Sequence, residues 1–289
     1  MPAEGRQYMK LKTLLATPFL NVHLDGEAGA DRICDYAISF AQSQGAHLAL
    51  AVATLRMTST SSFLPEVRNL VTQANSELWQ EAEATASRMK SAMTSGGLSG
   101  ETAVLFDDLG GLGDKICAQA RLGDVTILQP EDVVLSLRQQ LLERVLFESG
   151  RPVILVPQDW NGEATPQKIL VTWDGSAKSA RAVGDALPLL SEAAEIEIVS
   201  VGGDPNKSKT FEGASIARHL SRYNGKVSVT QLNAIDGDIA RAIGDHARLV
   251  RANLLVMGAY AHSRWRQLVL GGVTQAVIHK PPVPVFMSY

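Results

Sequence analysis

The sequence predicts two consecutive α/β domains, each a five-stranded parallel sheet with helices on both faces. Short apolar runs alternate with longer helix-like stretches along the whole chain. The runs are largely apolar on both faces, as the strands of a buried parallel sheet must be. The order of segments in the first half is repeated in the second, and a length of 289 residues suits two domains.

In the first half, four helix-like stretches separate the five predicted strands. Ile33, Ala37, Ile38 and Ala41 recur at helical spacing and indicate the first helix. The second helical stretch is long or broken and is rich in Ala, Glu and Gln. Strands are predicted at residues 12–16, 47–52, 102–106, 125–128 and 152–156. Helices are predicted at residues 31–44, 64–93, 114–122 and 136–149.

The second half repeats this order, with Ser176 as a candidate N-cap of its first helix. Each half opens with a Lys-led strand and closes with a Pro-Val-led strand. A Pro- and Gly-containing linker at residues 158–167 separates domains predicted at residues 9–157 and 167–289. Strands are predicted at residues 168–172, 195–201, 227–232, 254–257 and 283–287. Helices are predicted at residues 177–190, 211–223, 238–250 and 273–279.

Composition narrows the class of function. The net charge of −3 and the pI of about 6.1 disfavour a generally cationic nucleic-acid binder. Cys34 and Cys117 lie in different predicted helices and form neither a disulfide framework nor a metal cluster. The chain has no signal-peptide pattern and no run of about 18 apolar residues. We therefore expect a cytoplasmic protein that binds neither membranes nor nucleic acid.

In an open parallel sheet, ligands bind outside the carboxyl ends of the strands, where the strand order switches. Asp174 follows the first strand of the second half, in the run Thr172-Trp173-Asp174-Gly175-Ser176. A carboxylate there can accept hydrogen bonds from a ribose hydroxyl or an adenine amine. The alternative is an ordinary turn or helix-cap residue, because Asp-Gly-Ser is also common turn chemistry.

Glycines mark the other side of the same predicted edge. Gly258 follows the fourth strand and allows a tight turn, while Gly271 and Gly272 open the last helix. Paired glycines at a helix start leave backbone N–H groups free for an anion. Thr274 could add a hydroxyl contact.

This stretch resembles the universal stress protein family. Nucleotide-binding members of that family carry Gly, two residues, Gly, nine residues, Gly, then Ser or Thr. Here the four positions hold Gly258, Ala261, Gly271 and Gly272, so the spacing agrees while the second and fourth residues differ. Ala261 adds a methyl group where a phosphate passes, and Gly272 lacks the hydroxyl that Thr274 could replace.

The resemblance implies a tandem, two-domain universal stress protein with Rossmann-like, adenine nucleotide α-hydrolase-like folds. It implies binding of ATP or another adenine nucleotide, with or without Mg²⁺, in the second domain. Asp174 would hold the base and ribose, and the last helix would hold the phosphates. The implied site comprises Asp174, Val201, Gly258, Ala261, His262, Gly271, Gly272, Val273 and Thr274.

The first half lacks the corresponding residues. Pro18 takes the position of Asp174, Gln129-Pro130 replaces Gly258-Ala259, and Gln139-Gln140 replaces Gly271-Gly272. We expect a degenerate, structural domain that pairs with the second half as two separate family members pair in a dimer. The sequence leaves open any ligand of this domain and any homodimer of whole chains.

The first hypothesis is a stress-response protein whose nucleotide acts as a regulatory ligand, read by an unknown protein partner rather than turned over. No Walker-type or Gly-x-Ser-x-Gly motif occurs, although slow ATP hydrolysis remains open. The alternative is an interaction or scaffold protein of the same fold without a nucleotide. A third hypothesis is another small molecule covered by residues 64–93. No metal site is expected, and His246 on its predicted helix is assigned to a surface or capping position.

Overall fold

The computed structural model describes residues 10–20, 26–58, 65–130, 136–202, 213–264, 267–270 and 272–289. The described chain divides into two compact units, Lys12–Ala164 together with Ile278–Lys280, and Thr165–Val277 together with Pro281–Tyr289. The division falls inside the predicted linker at residues 158–167. Among the described helices, none combines the length and apolarity needed to span a bilayer.

The first unit is a parallel sheet in the order β4-β3-β1-β5-β6, and the short strand β2 also pairs with β3. All five predicted strands are present. The strands are β1 (Thr13–Ala16), β2 (Phe19–Leu20), β3 (His47–Leu55), β4 (Gly100–Asp107), β5 (Val125–Leu128) and β6 (Val153–Leu155). The helices are α1 (Gly26–Gln44), α2 (Pro65–Ser95), α3 (Leu109–Ala120) and α4 (Leu137–Glu148).

Strand β2 is an addition that the sequence did not predict. Phe19 pairs with Ala53 further along the same strand that β1 pairs with, so the chain continues in the direction of β1 past Thr17 and Pro18. Pro18 donates no hydrogen bond, but its carbonyl accepts one from the Ala53 N–H at 2.9 Å. Two residues are too few to produce a recognisable apolar run.

The second unit has the same topology, in the order β13-β10-β7-β8-β9. The predicted α/β fold class is thus confirmed. Its main strands are β7 (Lys168–Thr172), β8 (Glu195–Gly202), β9 (Val227–Asn233), β10 (Leu254–Gly258) and β13 (Val285–Ser288). Its helices are α5 (Ala177–Asp185), α6 (Leu187–Glu192), α7 (Gly213–Leu220), α8 (Ile239–Leu249) and α9 (Gly272–His279).

One local prediction was wrong in this unit. The single helix expected at residues 177–190 breaks at Ala186 into α5 and α6, because Pro188 has no N–H to donate to Gly184 and clashes with its carbonyl. The connection after β10 contains an antiparallel hairpin of β11 (Ala261–Arg264) and β12 (Gln267–Leu270), which the sequence did not predict.

The duplication extends to how each sheet is pinned at the start of its first strand. Asp124, just before β5, accepts a hydrogen bond from the Thr13 N–H at 3.0 Å. Asn253, just before β10, accepts one from the Lys168 N–H at 2.9 Å. In both units, therefore, a side-chain oxygen preceding the fourth main strand satisfies the first N–H of the first strand.

A buried acidic residue lies among the apolar side chains of strand β8. Glu197 is 6% exposed and accepts hydrogen bonds from Thr230 on β9 at 2.6 Å and from His246 on α8 at 2.8 Å. The expectation of a surface or capping role for His246 was wrong, because its side chain is only 14% exposed and pairs with this carboxylate. Burial alone raises the pKa of Glu197, but the bonds from Thr230 and His246 outweigh it and hold the pKa below its ordinary value.

We predict that His246→Ala lowers the free energy of unfolding by about 3 kcal/mol at neutral pH, because it leaves a buried carboxylate with Thr230 as its main partner. Urea denaturation measures the change. His219→Ala, which alters an exposed histidine on α7, is the control and should change stability by less than about 0.5 kcal/mol.

The same pair predicts a pH dependence. Because the pKa of Glu197 is lowered on folding, its stabilising contribution is present above the ordinary pKa of 4.5 and is lost as the pH falls through the folded value. The stability difference between wild type and Glu197→Gln should therefore shrink in acid. A difference that stays constant from neutral pH down to about pH 3 would contradict this assignment.

Candidate functional site

The chain leaves β7 through a tight turn that presents Asp174 to solvent. Asp174 is exposed, and its Oδ1 accepts a hydrogen bond from the Ser176 N–H at 3.0 Å. Gly175 has a φ of 75°, a left-handed conformation that favours glycine. Ser176 caps α5 by accepting from the Ser179 N–H at 3.1 Å, which confirms it as the N-cap.

The hydroxyl of Tyr260 closes a hydrogen-bonded cluster over this turn. It donates to Oδ2 of Asp174 and also contacts the hydroxyl oxygen of Ser176. We call Asp174, Ser176 and Tyr260 the phenol cluster. Both oxygens of the Asp174 carboxylate are thus bonded within the protein, one to a backbone N–H and the other to the phenol.

The phenol cluster has a defined charge state. Partial burial acts to raise the pKa of Asp174, but hydrogen bonds from Tyr260 and Ser176 outweigh it and hold the pKa below its ordinary value of 3.8. Burial and the bond to Asp174 raise the pKa of Tyr260 to about 12. At neutral pH the carboxylate is therefore ionised, and the phenol keeps the proton that it donates.

Gly258, the last residue of β10, has a packing reason to be glycine. A Cβ atom at this position would lie 2.6 Å from the carbonyl carbon of Lys178 and 2.8 Å from the backbone nitrogen of Ser179. The first turn of α5 thus packs its backbone directly against the end of β10. No flexible side chain could move aside to relieve such a contact.

Gly272, the first residue of α9, is in the opposite situation. It is exposed, and no described atom lies within 4 Å of the place where its Cβ would stand. The start of this helix is therefore open on that side, and its first N–H groups have no partner within the helix. Gly271, the other half of the expected pair, lies outside the described residues.

Thr274 lies in the first turn of α9 and is 1% exposed. Its hydroxyl oxygen accepts a hydrogen bond from the Tyr260 N–H at 3.0 Å. The Thr274 hydroxyl, which was expected to contact a phosphate, is therefore hydrogen-bonded to the segment just after β10. Val273, between Gly272 and Thr274, is partly exposed.

The remaining expected residues lie along the same edge or just beyond it. Thr172 pairs with Val199, so Val201 on β8 and Asp174 each lie two residues past the same register position. Ala261 pairs with Leu270 across the β11–β12 hairpin, and His262 pairs with Val269. The hairpin thus brings the second motif position back beside the start of α9, while the side chains of Ala261 and His262 lie outside the described part of the chain.

The first unit is built differently at its corresponding edge. The Thr17 N–H donates to Ile127 at 3.1 Å and the chain continues as β2, where the second unit turns at Asp174 and Gly175. At the start of α4, Ser136 accepts a hydrogen bond from the Gln139 N–H at 3.0 Å. In the second unit, the start of the corresponding helix is where an anion is expected to bind. In the first unit, the side chain of Ser136 caps the helix start instead.

Sequence reasoning missed Tyr260 as a site residue. It lies within the span of the motif, but the spacing of glycines gives it no role. The structure reveals its role because β7 pairs with β10. This pairing brings Tyr260 into contact with Ser176 and Asp174, which lie 84 and 86 positions earlier in the sequence. An aromatic hydroxyl two residues after a strand end was the one available signal. Within the described residues, no group of three His, Cys, Asp or Glu side chains could hold a metal ion.

The fold and this edge define the class of the protein. Both units are parallel sheets with the strand order of a Rossmann-like α/β protein. In the second unit, a carboxylate in a turn and an open helix start lie at the switch point of the strand order. The family model of the universal stress protein family matches residues 165–288. The second half of the chain is therefore similar to the universal stress protein family, and the expected resemblance is confirmed.

Individual relatives agree with this assignment. Universal stress protein Slr1230 of Synechocystis sp. is 29% identical over 146 residues, which make up 50% of this chain and 49% of that protein. The chain therefore matches about half the length of this curated relative. A universal stress protein from Archaeoglobus fulgidus has the same fold, with a TM-score of 0.67 and 17% identity over 95% of this chain and 97% of its own. A functionally unknown protein from Pseudomonas aeruginosa PAO1 aligns with 96% of this chain and 92% of its own, at a TM-score of 0.57 and 15% identity.

We predict that Gly258→Ala and Gly272→Ala have opposite effects on folding. The first should lower the free energy of unfolding by about 2 kcal/mol, because the added Cβ meets the backbone of α5. The second should leave stability unchanged or raise it by up to about 1 kcal/mol, because the methyl group meets open space at a helix start. Chemical denaturation of both variants measures the difference, and equal losses would contradict it.

Proposed function

We propose that the second domain binds ATP or a related adenine nucleotide as a regulatory ligand. The observation that carries the proposal is that an exposed, ionised Asp174 and an open helix start at Gly272 occur in the same domain. A carboxylate can accept from ribose hydroxyls or the adenine amine, while the helix N-terminus favours phosphate. The two groups suit the two ends of a nucleotide.

The proposal assigns each site residue a distinct task. Asp174 binds the ribose and the base of the nucleotide, and the N–H groups at the start of α9 bind its phosphates. Mg²⁺ can accompany the phosphates but is not required. Thr274 acts indirectly by fixing Tyr260. Binding changes the surface that a protein partner recognises, in a cytoplasmic stress response. The first domain serves as the structural half of an internal pair.

One set of observations favours the alternative, a scaffold without a nucleotide. The phenol cluster satisfies both oxygens of Asp174, and the packing of α5 accounts for Gly258. Thr274 is buried and bonded to Tyr260. Three of the expected site residues therefore have structural reasons that need no ligand. Gly272, which stands where the motif has Ser or Thr, is the described site glycine for which packing offers no such reason.

The test begins with the purified chain, which is denatured and analysed for released adenine nucleotide. Calorimetric titration with ATP then compares wild type with Asp174→Ala and Gly272→Ala. We expect Asp174→Ala to weaken binding about tenfold, through loss of the carboxylate. Gly272→Ala should leave binding unchanged, because the motif carries Ser or Thr at this position and so admits a Cβ there.

Gly184→Ala provides the matched control, because Gly184 is an exposed glycine of α5 with open space around its Cβ position. It should bind ATP like the wild type. Absence of both released nucleotide and heat at millimolar ATP would contradict the proposal and leave the scaffold alternative.

A further inference from the structure

The phenol of Tyr260 occupies the position on Asp174 that an incoming ligand needs. In the phenol cluster its hydroxyl donates to Oδ2, while the Ser176 N–H donates to Oδ1. A ribose hydroxyl would make the same kind of bond, as an O–H donor to a carboxylate. A carboxylate oxygen can accept more than one hydrogen bond, but the phenol already takes up part of the acceptor capacity and of the space at Oδ2, so the two donors compete there.

Tyr260 is also tied to the opposite end of the expected site. Its backbone N–H donates to Thr274, which lies in the first turn of α9, two residues after Gly272. Its side chain reaches the first turn of α5 through Ser176, the N-cap of that helix. One residue thus links the carboxylate at the end of β7 to the helix start at which a phosphate would bind.

The phenol cluster is accessible to a ligand, and the hydroxyl proton stays on Tyr260. Asp174 is exposed and Tyr260 is partly exposed, so a ligand can reach the bond between them. The raised pKa of Tyr260 keeps its hydroxyl protonated over the whole neutral range. The competition therefore does not depend on a change of protonation near neutral pH.

We infer that Tyr260 sets the affinity and sugar selectivity of the second-domain site, because its hydroxyl already takes up acceptor capacity of Asp174 that a ribose hydroxyl would use. This inference rests on the proposed function and deepens it. A nucleotide that binds must displace the phenol from the carboxylate or share the carboxylate with it, so the net gain from Asp174 is smaller than for a carboxylate without that bond. The residue acts as an internal competitor and is distinct from a ligand contact.

The test is a set of calorimetric titrations with ATP and with 2′-deoxy-ATP. Tyr260→Phe removes only the competing hydroxyl, and we expect it to bind ATP about fivefold more tightly than wild type. The gain should be smaller for 2′-deoxy-ATP, which has one sugar hydroxyl fewer to offer to Asp174. Tyr223→Phe, which removes a phenol hydroxyl beyond α7 in the same unit, is the control and should bind like wild type.

A double-mutant cycle isolates the coupling to Asp174. In the Asp174→Ala background, Tyr260→Phe should give no gain in affinity, because no carboxylate remains to be released. Circular dichroism and thermal melts of every variant establish that each is folded. A fivefold gain that persists without Asp174 would overturn the inference, since Tyr260 would then act by another route.

The outcomes separate this inference from the proposed function. ATP binding that is equal or weaker in Tyr260→Phe overturns the inference and leaves nucleotide binding standing. Binding by Tyr260→Phe but not by wild type supports the inference that the phenol limits the site, and contradicts nucleotide binding by the wild-type chain. No binding by either folded protein overturns both.

Discussion

The contact between the start of α5 and the end of β10 sets the geometry of the whole candidate site. Gly258 lets the backbone at Lys178 and Ser179 approach to a distance that a Cβ would forbid. Because α5 follows directly from the turn after β7, this approach brings Ser176 and Asp174 to the side of β10. Tyr260, two residues beyond Gly258, then lies within hydrogen-bonding reach of both. A backbone contact thus determines which side chains meet.

The corresponding edge of the first unit is built differently. There the chain continues past Pro18 as β2 and bonds to β3, so no Asp-Gly turn forms at the end of β1. Ser136 satisfies an N–H at the start of α4 that would otherwise be open to an anion. The first unit lacks the motif residues, and hydrogen bonds within the protein take the place of a ligand site there. This supports a structural role for the first domain within the proposal.

The sequence was sufficient to predict the fold because burial of a parallel sheet on both faces imposes a local pattern. Strands such as β7, which was predicted with its observed bounds, show that pattern without reference to the rest of the chain. The β11–β12 hairpin, the pairing of Glu197 with His246 and the phenol cluster could not be predicted in this way. Each depends on residues brought together from separate elements, and their types alone do not show that they meet. Pro188 is the exception, because a proline inside a predicted helix was a visible local reason for its break.

Glycines at a motif spacing carry functional weight only to the extent that the fold itself does not require them. Gly258 is required by the approach of α5, so its presence would be expected in a scaffold as much as in a nucleotide-binding protein. Gly272 is exposed with open space around its Cβ position, so packing does not need a glycine there. The motif carries Ser or Thr at this position, so the glycine itself is no evidence for a ligand. What favours a ligand is an exposed helix start that an anion could approach. The nucleotide hypothesis therefore depends more on the open start of α9 than on the motif as a whole, and Tyr260 determines how much Asp174 can add to it.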